Sequence, residues 1–129
     1  MAVPENVVKT SDFDFFSQEE AEVFDNTVGI RRRHIAPDNM CASDMCQAAA
    51  EKLLEELGWE RDSIDVLLFE SVTGDYRTPP TSCILQDRLA LSENCFCMDI
   101  PMGCCGCMYA ITVAGNLLTT GNVKRALLL

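Results

Sequence analysis

The chain is 129 residues long, with 48% apolar and 23% charged residues. That is enough apolar material for one folded domain and too little charge for wholesale disorder. Asp plus Glu number 20 against 10 Lys plus Arg, a net charge of −10, which opposes general nucleic-acid binding. The 8 cysteines come without a signal peptide, because the start at Met1–Glu5 has neither a basic stretch nor an apolar run. Most lie in apolar runs, where a free thiol behaves as a small hydrophobe. The expectation is a reduced, cytoplasmic protein.

Ser17 followed by Glu20 is a capping box. It predicts a short helix through Val23 and Phe24 that stops near Gly29. Arg31–His34 and a loop through Pro37–Asn39 follow. A second helix is expected from a cap at Ser43 or Asp44 to about Leu57, closed by Gly58. Its inward side would carry Met45 or Cys46, Ala49 or Ala50, Leu53, Leu54 and Leu57. Ile64–Phe69 reads as a strand covered on both faces. Thr73–Pro80 is a loop by composition. A third helix should run over Thr81–Leu89 with Ile84, Leu85 and Leu89 inward. Cys95–Ile100 is the next strand. A turn with Pro101, Gly103 and Gly106 leads to a fourth helix ending at Thr120–Gly121, and Arg125–Leu129 reads as a third strand.

Strands alternating with helices predict a parallel sheet and an α/β class. The fourth helix is apolar all round, which calls for cover on every side, from a partner subunit or from sequence beyond this stretch. Residues Ile100–Val123 are uncharged and long enough for a bilayer. The interruptions at Pro101, Gly103, Gly106, Gly115 and Asn116 argue against a membrane span.

The turn Asp99–Ala110 is the candidate site. A cysteine between a strand end and a helix start meets free amide groups and the positive end of the helix dipole, which favour a thiolate and an oxyanion. Gly103 and Gly106 would let a substrate carbonyl approach the backbone. The arrangement is similar to the nucleophile elbow of hydrolases, with Cys in place of Ser. Other readings stand beside it. Cys104, Cys105 and Cys107 could be small fillers. Cys104 and Cys107 could be a redox pair at a helix start. A zinc site from Cys95, Cys97, Cys104 and Cys107 lacks the usual paired CxxC spacing, so no metal is expected.

Several runs together resemble the N-terminal half of 3-oxoacyl-acyl-carrier-protein synthase III, of the thiolase superfamily. They are Val28–His34, Asp44–Ala50, Ile64–Phe69, Pro80–Ser82 with Gln86, Asp99 with Cys104–Gly106 and Tyr109–Ala110, and Gly121–Leu127. The resemblance implies a thiolase-like fold, with residues 1–129 a portion of the N-terminal half that lacks the family's first strand and its C-terminal half. It implies that Cys104 accepts an acyl group from acyl-CoA or acyl-carrier protein and passes it to malonyl-carrier protein. It also implies an acyl carrier protein partner, a homodimer, no covalently held cofactor, and an assisting His and Asn from the C-terminal half. A non-catalytic partner subunit is the alternative within the same family.

Three positions depart from the family pattern. Val23 and Thr27 stand where coenzyme A users often carry a Trp and an Arg, which shifts weight toward a carrier-protein donor. Pro79 stands where a bulky aromatic can reach the partner's acyl pocket. Arg31, Arg32 and Arg33 are candidates for phosphopantetheine or carrier-protein contact; the plainer expectation is ion pairs with Asp25, Asp38 or Asp44. His34 is expected in a charge-paired surface or loop role rather than as a base.

Overall fold

Local sequence sets the element ends. In the computed structural model, which describes residues 2–129, the chain divides into two units: Val3–Met40, and Cys41–Leu129 together with Ala2.

The smaller unit holds strand β1 (Val7–Lys9), helix α1 (Gln18–Val28) and strand β2 (Arg32–His34). Ser17 and Glu20 form the expected reciprocal cap, and Gly29 closes α1 in the left-handed conformation at φ +79°. The β strands were not foreseen. Arg32–His34 pairs antiparallel with Val7–Lys9, where the sequence showed only a basic run. Three-residue strands carry too little alternation to be read.

The arginines correct a second expectation. Asp25 accepts a hydrogen bond from the Thr10 hydroxyl at 2.6 Å. Arg33 lies over the rings of Phe13 and Phe24, 5.6 Å from each centroid. Arg33 is thus held by cation–π contact rather than by a carboxylate, and Arg31 and Arg32 are exposed. Among the described residues the ion pairs are Lys52–Glu56 and Arg88–Asp44, so none of the three arginines takes Asp25, Asp38 or Asp44. His34 Nδ1 lies 2.6 Å from the Pro4 carbonyl oxygen, which is the loop role rather than the charge-paired one of the two expected for it.

The larger unit runs α2 (Ala42–Leu57), β3 (Val66–Glu70), α3 (Thr81–Arg88), β4 (Phe96–Ile100), α4 (Gly106–Thr119) and β5 (Ala126–Leu128). The strands form one parallel sheet in the order β4-β3-β5, as the alternating elements require. The side chains of β3 divide by parity. Leu67 and Phe69 join Ala50, Leu54, Leu85 and Leu89 in one core. Val66 and Leu68 join Ile100, Ala110 and Ala114 in the other. The sheet is therefore covered by α2 and α3 on one face and by α4 on the other.

Helix α2 begins two to three residues earlier than expected, with Cys41 rather than Ser43 or Asp44 as its N-cap and the Asp44 carboxylate accepting from the Cys41 N–H at 2.8 Å. Its buried line is Ser43, Ala50 and Leu54; Leu53 and Leu57 are exposed. The apolar stripe was read too wide by these two positions. Cysteine burial is also corrected: Cys95 is buried and Cys46 and Cys97 are half-buried, but Cys41, Cys83, Cys104, Cys105 and Cys107 are exposed. Helix α4 buries only Gly106, Ala110 and Ala114, leaving Met108, Tyr109, Ile111 and Leu118 exposed. No helix among the described residues is long and apolar enough to cross a membrane.

Candidate active site

The turn after β4 is built from small residues. Pro101 bends the chain, and the Met102 N–H returns to the Ile100 carbonyl at 2.8 Å. The Gly106 N–H donates to the Gly103 carbonyl at 2.8 Å and the Met108 N–H to that of Cys105 at 3.0 Å. Cys105 is the N-cap of α4, with no side chain bonded to the helix start. Cys104 therefore sits just ahead of an uncapped helix N-terminus, exposed to solvent. Such a terminus offers amide donors to an anion on the sulfur or on a bound carbonyl.

The two glycines of the turn differ. A side chain at Gly103 would meet nothing within 4 Å, so that position leaves open surface beside Cys104. A Cβ at Gly106 would overlap the Glu70 side chain. Glu70 ends β3 opposite Ile100 and was not singled out from the sequence. A charged residue closing an otherwise apolar strand was the available signal.

Asp99 faces the other way. Its two carboxylate oxygens each accept a 2.8 Å bond, from the N–H groups of Thr81 and Ser82 at the start of α3. The loop between β3 and α3 is tied further: the Asp75 N–H donates to Thr81 Oγ1 at 3.1 Å, and Ser43 Oγ donates to Asp75 at 2.5 Å. Arg88 holds Ser43 and Asp44 at 2.9 and 3.1 Å. Pro79 is exposed on this tethered loop. Beside it a groove of about 760 Å³ includes Tyr76, Arg77, Pro80, Met98 and Pro101.

In the smaller unit Val23 and Thr27 line one groove of about 680 Å³ with Phe16, Phe24 and Val28. These two candidate substrate contacts do come together. Arg31 is not among that groove's lining residues.

The other thiols contrast with the turn. Burial, above all, pushes the Cys97 thiol up to about 12, with Cys95, Cys83 and Asp99 adding to the effect. Cys95 and Cys46 are also raised, chiefly by burial. No group of three or more metal-ligating side chains occurs among the described residues.

No family model matches the chain. Individual proteins do. It is 32% identical over 127 residues to a beta-ketoacyl-[acyl-carrier-protein] synthase III of Acholeplasma laidlawii, covering 98% of this chain and 41% of that protein. A protein of the same name from Geobacillus kaustophilus is 35% identical over 125 residues, covering 97% and 40%. Among solved structures, a 3-oxoacyl-(acyl-carrier protein) synthase from Burkholderia xenovorans superposes with a TM-score of 0.92 at 40% identity, covering 98% of this chain and 37% of the other. The chain thus spans about 40% of the length of the curated relatives it matches.

Proposed function

We propose that this chain, whose sequence and thiolase-like fold match the N-terminal part of 3-oxoacyl-acyl-carrier-protein synthase III, is the acyl-accepting portion of a condensing enzyme of the fatty-acid type. The observation that carries the reading is Cys104, exposed at the end of a parallel strand and the uncapped start of α4, in a chain related to these synthases along nearly its whole length. The Cys104 sulfur, as thiolate, attacks the carbonyl of an acyl thioester. Amide groups at the helix start receive the charge that develops on oxygen. The carrier thiol leaves and the acyl group stays on Cys104. Condensation with malonyl-carrier protein then calls on a His and an Asn that the family resemblance assigns to its C-terminal half.

The groove with Val23 and Thr27 supports a thioester carrier without an adenine-stacking Trp or a phosphate-binding Arg at those places, so acyl-carrier protein is the favoured donor over acyl-CoA. Arg31, exposed and free of any ion pair among the described residues, is a fit contact for its phosphopantetheine. Pro79 in place of a bulky aromatic points to an acyl pocket of altered size. β4 and β5 each end the sheet with an unpaired edge among the described residues, which supports self-association as a homodimer.

Intact-protein mass spectrometry after incubation with acyl-carrier protein or acyl-CoA tests the reading. The expected result is a mass gain of one acyl group, mapped to the Cys104 peptide, lost in Cys104→Ser and kept in Cys107→Ser. Acylation that persists in Cys104→Ser overturns it.

A further inference from the structure

The carboxylate packed against the start of α4 is unlike the rest of that helix's surroundings. Val66, Leu68 and Glu70 share the face of β3 that meets α4. The first two are fully buried among apolar side chains. The third brings a carboxyl group against Gly106, so closely that any Cβ there would overlap it. Helix α4 has no charged residue along its length. Asp99, the acidic residue of β4, is turned to α3 and bonded there. The two ion pairs among the described residues leave Glu70 out. Glu70 is therefore the charged side chain packed on the first residue of α4, two positions from Cys104.

We propose that Glu70 is a specificity-determining residue of the cysteine turn: its carboxylate disfavours negatively charged electrophiles and acyl groups at Cys104 and leaves neutral ones admitted. The physical reason is Coulomb repulsion from a carboxylate packed on the same helix start, in a place where the helix terminus alone would attract anions. Gly106 is the counterpart, because only a residue without Cβ gives the carboxylate room. The extension to acyl groups rests on Cys104 being the acyl acceptor. It predicts that thioesters of neutral acyl chains load faster than those ending in a second carboxylate.

The test uses iodoacetamide and iodoacetate. With either reagent the Cys104 thiolate displaces iodide and forms a carbon–sulfur bond. Both draw on the same thiolate, so the ratio of their rates is independent of how much thiolate is present. Rates are read at Cys104 by peptide mapping, with exposed Cys83 on α3 as internal reference. Glu70→Gln should raise the iodoacetate-to-iodoacetamide ratio at Cys104 by about two- to five-fold, the size of like-charge repulsion within one turn of a wet site, and leave the ratio at Cys83 unchanged. Glu70→Asp should stay near the parent ratio. An unchanged ratio at Cys104 in Glu70→Gln overturns the proposal.

Where Glu70→Gln disturbs the fold, as seen by circular dichroism, a salt titration of the unaltered chain decides. The ratio at Cys104 should rise with salt more steeply than at Cys83, and equal slopes overturn the proposal. Butyryl and succinyl thioesters then separate the two readings. No loading of Cys104 by either one, with the alkylation ratio still responding to Glu70, sinks acyl transfer while the charge selectivity stands.

Discussion

At the scale of single residues, environment separates thiols that share one chemistry. Cys97 is pushed up to about 12, first by burial, so it stays protonated near neutral pH and is a poor nucleophile. Cys104, Cys105 and Cys107 are exposed. Brief iodoacetamide treatment at pH 8 should label the exposed thiols and spare Cys46, Cys95 and Cys97, as peptide mapping would show. Gly106 is the second residue whose role is steric. Gly106→Ala forces the Glu70 side chain out of its place and should cost about 1–3 kcal/mol in urea unfolding, the usual range for overpacking. Gly103→Ala meets open space and should leave stability within about 0.5 kcal/mol, as surface substitutions usually do.

At the scale of elements, carboxylates hold the ends of the sheet and its helices. Asp99 accepts from both Thr81 and Ser82, so Asp99→Ala removes a double cap from α3 and should cost about 1–2 kcal/mol. Asp65 does the same for β5. It accepts from the backbone N–H groups of Lys124 at 2.7 Å and Arg125 at 3.0 Å. Those bonds, chiefly that from Lys124, hold its carboxyl below its usual value. A carboxyl lowered in the folded state contributes stability above its unfolded pKa and loses it as pH falls through the folded one. The stability gap between the parent chain and Asp65→Asn should therefore be full above about pH 5 and shrink on acidification below about pH 4, a trend that urea midpoints across that range would trace.

At the scale of the whole molecule, the larger unit has two well-filled sheet faces and one open helix. Leu85, fully buried between helices and sheet, should lose about 2–5 kcal/mol as Leu85→Ala. The open side of α4 displays Met108, Tyr109 and Ile111. An apolar patch of this kind binds hydrophobic dyes and partner surfaces. Replacing Met108 and Ile111 together by Gln should lower dye fluorescence without lowering the urea midpoint, because neither side chain is in the core. The all-round apolar pattern of α4 had already signalled that this helix is built for more cover than the sheet provides.

The amino-acid sequence by itself determined the order and class of the elements. Capping residues such as Ser17 and Gly29, the 3.6-residue stripe of α2 and the apolar run of β3 are local signals, and the strand–helix alternation admits a parallel sheet. It also placed Cys104 between a strand and a helix start, since glycines and proline mark that turn. Tertiary structure alone decided which side chains meet. The pairing of Val7–Lys9 with Arg32–His34 joins segments over twenty residues apart, and no local pattern carries such a contact. The stacking of Arg33 on Phe13 and Phe24 displaced an ion pair that charge alone had suggested. Glu70 meets Gly106 because strand parity and helix placement converge there. A linear sequence shows which residues can be charged or small, and only the packed fold brings one against the other.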